Sequence, residues 1–184
     1  MTQSPPPVGD QLNAGAARPL IDLPRHAYTS WLKRVGAVLI DFAPVCVLLA
    51  VGIIVFISTR VCVDYPIAGL GTDEKPFLQQ SCGATAVGQW ALALFPFAAI
   101  AFQVWNYGYK QGVTGSSLGK GIMKFKVVSE VTGQPIGFGR SIVRQILHVL
   151  IDGLLLNVGY LFPLVDDKRQ TFADKIVKTV CVPV

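Results

Sequence analysis

Asp41 is the sole charged residue in the run Val35–Ser58. Arg34 stands seven residues before it, two helical turns away, so the two share a helix face about 10 Å apart along the axis. A second set recurs every four residues: Arg144, His148 and Asp152 line one helical face at the start of a later apolar block. An unpaired charge in the middle of a membrane span costs about 2.5–3.5 kcal/mol, so such groups turn towards protein or a wet cavity. Two kinds of chemistry suit these residue types. In one, Asp41 pairs with Arg144 or His148 and fixes how the segments pack. In the other, Asp41, His148 and Asp152 line a path for a proton or cation, because imidazole exchanges protons near neutral pH and intramembrane acids mark such paths.

The segments that must position these groups are long and apolar. Of 184 residues, 52% are hydrophobic and 15% charged, against about 25% charged in a soluble domain. Val35–Ser58 is longer than the roughly 20 residues needed to cross a bilayer. It lacks an A-x-A cleavage pattern and is too long for a signal-peptide core, so it reads as a retained transmembrane helix. Ala86–Trp105 has no charge and ends in Trp105, Tyr107 and Tyr109, rings that favour the headgroup level, as do Tyr28 and Trp31 before the first span. Ile146–Val165 is long enough to span but is interrupted by His148, Asp152, Gly153, Asn157, Gly159 and Pro163.

Charge distribution sets the expected topology. Sixteen Lys+Arg against eleven Asp+Glu give a net charge of +5, better read as an orientation signal than as a nucleic-acid footprint. Basic residues flank the first span at its start, fill the 109–145 loop and recur in the tail, which places all three in the cytoplasm and loop 59–85 outside. The third block then enters and turns back as a helical hairpin or re-entrant segment, with a third full span as the alternative. Residues 1–27 read as a disordered Pro/Ala-rich cytoplasmic tail, and 28–184 as the membrane domain.

In the outer loop, Cys62 and Cys82 suit a disulfide in an oxidising space, closing about 20 residues for roughly 3 kcal/mol in the chain-entropy model; two free thiols are the alternative. No histidine stands near them at ligand spacing, so no metal site is expected. The inner loop is expected to form a small β-hairpin from Ile122–Val128 and Pro135–Phe138, with Val180–Val182 as a further edge strand. Its basic residues Lys120, Lys124 and Lys126 suit anionic lipid, at about 1 kcal/mol each. Gly115–Gly121 imitates a phosphate loop but has three residues between its first two glycines where the pattern needs four, and a glycine after the lysine. No nucleophile–base pair can be assembled, so neither an enzyme nor a cofactor is expected.

Taken in order, Lys33–Asp41, Ser117–Lys120, Phe125–Val128, Thr132–Gly133, Arg140, Arg144 and Asp167–Lys175 resemble the RDD family of bacterial membrane proteins. The resemblance assigns the family arginine to Arg34, its first aspartate to Asp41 and its second to Asp174. It differs at Ala173, where a histidine is frequent, and does not extend to His148 and Asp152. It implies a multi-pass protein of the bacterial plasma membrane, with transport of unidentified ligands suggested for the family and cation/proton exchange for some members. In the tail, Asp174 is expected to bond Arg169 or to cap local backbone.

The expected fold is therefore an all-α integral membrane protein with two spans, a third intramembrane segment and a small cytoplasmic β-hairpin. The leading functional expectation is a small transporter or transport accessory coupled to protons or cations through Asp41. The alternative is a non-catalytic assembly subunit that holds a partner or anionic lipid through its basic loop. So few segments leave little protein to enclose a path, which implies a homo-oligomer or a membrane-protein partner within the bilayer. Gly36, Gly52 and Gly88 offer close-packing positions.

Overall fold

A long, mainly apolar run dictates the first long helix. Trp31–Ser58 forms one helix, α1, with Pro44 inside it. The computed structural model describes residues 23–71, 76–153 and 158–184. The expected tail lies outside them up to residue 22, and so do 154–157 of the expected third-block turn. The chain divides into two compact units, 1–43 with 102–184, and 44–101.

The unit 44–101 holds the remainder of α1, a β-ribbon and most of a second helix. Strands β1 (Arg60–Gly71) and β2 (Pro76–Ala84) pair antiparallel, with Cys62 opposite Cys82 and the two joined by a disulfide. This ribbon is absent from the sequence expectation. A lone two-stranded ribbon is marginal in water, and the disulfide ties its strands together. Helix α2 (Ala86–Gln103) meets α1 through small residues. A methyl group on Gly52 would press on Phe95, and one on Gly88 on Thr59 and Phe56. Both helices turn apolar side chains outward: Ile54 is 62% exposed, Trp90 66% and Phe97 70%. Two helices, over 25–58 and 86–114, are long and apolar enough to cross a membrane.

The other unit begins with a short 3-10 turn, Arg25–Ala27, and the first turns of α1. Beyond Gln103 the second helix continues through a widened π-type stretch, Val104–Lys110, and a last turn, Gln111–Thr114. It stops at Gly115, whose φ of +80° a side chain would resist. A short helix α3 (Leu118–Ile122) follows, capped by the Ser117 hydroxyl.

Strand β3 (Phe125–Ser129) then pairs antiparallel with β4 (Thr179–Pro183), Val127 opposite Cys181. The expected hairpin is corrected here, because Pro135–Phe138 does not pair and helix α4 begins at Gly137. The ribbon is buried on both faces. Val128, Val180 and Val182 pack on Tyr28, while Phe125, Val127 and Cys181 pack on Ala37 and Ile136. Its outer edges are closed by Val127 N–H to Gly115 O and Thr29 N–H to Cys181 O. Double burial explains why Val127–Val128 and Val180–Cys181–Val182 are runs of apolar residues rather than alternating ones. With two two-stranded ribbons, the fold is mostly helical rather than all-α.

Helix α4 (Gly137–Leu147) runs on as a π-type stretch to Gly153. Its polar residues Ser141, Arg144, His148 and Asp152 are buried, while Val143, Ile146, Val149 and Leu150 are at least half exposed. A short helix α5 (Val158–Leu161) and a 3-10 turn, Phe162–Leu164, lead to α6 (Phe172–Val177). Among the described residues this block contains no third helix long enough to span.

Candidate functional site

All the ionisable residues singled out above, outside the disulfide loop, fall in the unit that contains both ends of the chain. Asp41, carried by α1, is fully buried. Its Oδ1 accepts from Asn106 Nδ2 at 2.8 Å and from Gly119 N–H at 2.7 Å, and its Oδ2 from the Ser117 hydroxyl at 2.5 Å. Asn106 completes the enclosure by accepting the Leu118 N–H at 2.8 Å. α3 can come this close because residue 119 is glycine, where a side chain would run into Ala37 O and the Asp41 carboxyl carbon. Among the described residues no Lys, Arg or His nitrogen lies within ion-pair distance of Asp41. Neutral donors hold it instead, which corrects the expected pairing with Arg144 or His148.

Those two side chains have other partners. Arg144 Nε and Nη2 donate to Asp174 Oδ1 at 2.7 and 2.6 Å, and Arg34 Nη1 donates to Asp174 Oδ2 at 3.1 Å. Asp174 also closes a capping box with Thr171 at the start of α6 and accepts from the Thr179 hydroxyl at 3.0 Å. Burial alone would raise its pKa, but Arg144 and Arg34 outweigh burial and hold the carboxyl well below the usual carboxylate range. The expected bond to Arg169 is absent; that guanidinium donates to Tyr28 O at 3.2 Å. His148 Nδ1 meets Asp152 Oδ2 at 2.6 Å, and the His148 ring stacks on Tyr160. Arg144, His148 and Asp152 thus share a buried helix face without joining Asp41.

The basic loop is divided by burial. Lys124 is exposed and Lys126 half-buried, but Lys120 is only 7% exposed. Its ammonium lies 4.6 Å from the centre of the Tyr107 ring and 3.3 Å from Ser117 Oγ. Burial, with Arg144 adding to it, pushes the Lys120 pKa down to about 8 against the opposing pull of Asp41. Lys120 is therefore part of the Asp41 enclosure and not a lipid-facing cation. Tyr28 and Tyr107, expected at headgroup level, are core residues at 1% and 4% exposure. Sequence reasoning missed Asn106, Ser117 and Gly119. Their signal is a polar residue inside an aromatic cluster and a Gly/Ser loop that fails as a phosphate loop and counts towards the family resemblance without a role for its side chains.

Two long helices with outward apolar side chains, and ionisable groups fixed by buried polar contacts, are the features of a candidate membrane protein. More specifically, the chain belongs to the RDD family, whose profile matches residues 28–178. It is 48% identical over 167 residues to a proline-rich antigen of Mycobacterium leprae, covering 88% of this chain and 64% of that protein. It is 46% identical over 168 residues to a proline-rich antigen homolog of Mycobacterium tuberculosis, covering 88% and 66%. The chain thus spans just under two thirds of the length of these bacterial relatives. No solved structure matches it. The two candidate membrane helices point to a membrane location.

Proposed function

We propose that the chain is a small transporter or transport accessory in which Asp41 binds the coupled proton or monovalent cation. The observation that carries this reading is a fully buried carboxylate held by three neutral donors with no cation in direct contact. Such a cage orients two oxygens and leaves the negative charge to be neutralised by whatever enters. Arg34, by contrast, is already committed to Asp174 and serves packing.

The protein resides in the plasma membrane with both termini in the cytoplasm and loop 59–85 outside. The third block re-enters rather than spans. The basic residues in the tail that follows it support this, since Lys/Arg-rich flanks stay on the cytoplasmic side. The chain works without enzymatic chemistry and needs further copies or a partner protein to enclose a path. The rival reading, a scaffold that grips anionic lipid, is weakened by the burial of Lys120, which leaves it Lys124 and Lys126.

Purified protein in sealed vesicles under a pH gradient tests the proposal. Sodium or potassium flux is expected in the wild type and a loss of at least tenfold in Asp41→Asn. Equal flux in both makes Asp41 structural. An absence of flux in wild-type vesicles, with tight binding to anionic ones, favours the scaffold.

A further inference from the structure

The Ser117 hydroxyl sits between two ionisable groups with no freedom in its bonding. Its oxygen accepts from Lys120 N–H and from Lys120 Nζ, both at 3.3 Å. A hydroxyl has two acceptor lone pairs and one proton. Both acceptor positions are taken, so the proton is directed at Asp41 Oδ2, 2.5 Å away. The three groups form a directed chain from ammonium through hydroxyl to carboxylate. Asp41 and Ser117 have no exposed surface, whereas Lys120 keeps 7%.

We infer that Lys120 is the proton-exchanging partner of Asp41, with the Ser117 hydroxyl as the relay between them. This rests on the reading of Asp41 as the coupling group and supplies that group's proton route. The Lys120 ammonium gives one N–H proton to the Ser117 oxygen while the Ser117 O–H proton passes to Asp41 Oδ2. Lys120 is left as a neutral amine and Asp41 as a neutral acid, and no electron is transferred. A lysine held charged by a direct carboxylate contact could not play the part. Here the contact passes through a hydroxyl, with the Tyr107 ring against the ammonium. The groups that face Lys120 are Arg144 on α4, Asp41 on α1, Asp174 on α6 and Cys181 on β4. Arg144 opposes the charged amine, and the two acids support it.

Full-length protein labelled at lysine side-chain carbons and held in lipid nanodiscs provides the test, with the resonance assigned by its absence in Lys120→Arg. One lysine is expected to titrate near pH 8, and its midpoint to fall by at least one pH unit in Asp41→Asn. A midpoint above 10, or one unmoved in Asp41→Asn, overturns the inference. In vesicles, Ser117→Ala is expected to lower flux at least tenfold while its thermal midpoint shows an intact fold. The pH profile of flux is expected to lose its inflection near 8 in Lys120→Arg; an inflection retained there also overturns the inference. Coupled titration without wild-type flux upholds the linked pair and sinks the transport reading alone.

Discussion

At the scale of single residues, one carboxylate holds two guanidiniums. Asp174 neutralises Arg144 through Nε and Nη2 and ties Arg34 from 140 residues earlier in the chain. Asp174→Asn leaves two buried cations facing a neutral amide, and removing one partner of a buried ion pair costs about 3–5 kcal/mol. A loss of that order is expected in unfolding measurements. Since the folded carboxyl titrates below its unfolded value, the unfolded chain binds the extra proton as pH falls below about 4. Stability from Asp174 is therefore full above that pH and lost on acidification through the folded value, a loss expected to be blunted in Asp174→Asn. Lys120 works in the opposite range. Its folded pKa of about 8 lies below the ordinary 10.5, so between these values the unfolded state holds more protons and stability rises with pH. Thermal midpoints from pH 7 to 10.5 are expected to climb in the wild type and stay flat in Lys120→Met. The types and spacing of Arg34, Asp41 and Asp174 were legible in the sequence. Their partners were not, because hydrogen bonds across 30 to 140 residues leave no local periodicity.

At the scale of elements, the close approach of α3 to α1 depends on one atom. Gly119 and Gly121 lie two residues apart on the same short helix, yet an added methyl at 119 strikes Ala37 O and one at 121 meets nothing. Gly119→Ala is expected to cost about 1–3 kcal/mol as overpacking and to weaken the Asp41 enclosure. Gly121→Ala is expected to be neutral, and paired denaturation curves check both. The long helices were legible from apolar length alone. The β3–β4 ribbon was legible in its strands but not in its pairing. Val180–Cys181–Val182, expected as a further edge strand, is the direct partner of β3, because Pro135–Phe138 runs into the start of α4 instead of pairing. The β1–β2 ribbon left a weaker mark, since the region around Cys62 and Cys82 lacks strict alternation.

At the scale of the whole molecule, the two candidate membrane helices suggest lipid rather than water as the surrounding solvent. Apolar side chains stand outward on both long helices and on α4, while the carboxylates of Asp41, Asp152 and Asp174 are sealed inside. The topology implied by the basic flanks is checked by reporters. A fusion after Val184 is expected to be active in the cytoplasm and one inserted at 72–75 outside. Periplasmic activity at Val184 would show a third crossing. The Asp41 enclosure also has a consequence for how the protein is made. Gly119 is translated 78 residues after Asp41, roughly 4 to 16 s later at ribosomal speed. For that interval the first helix carries Asp41 without its three donors, and the enclosure closes only once residue 119 has been made.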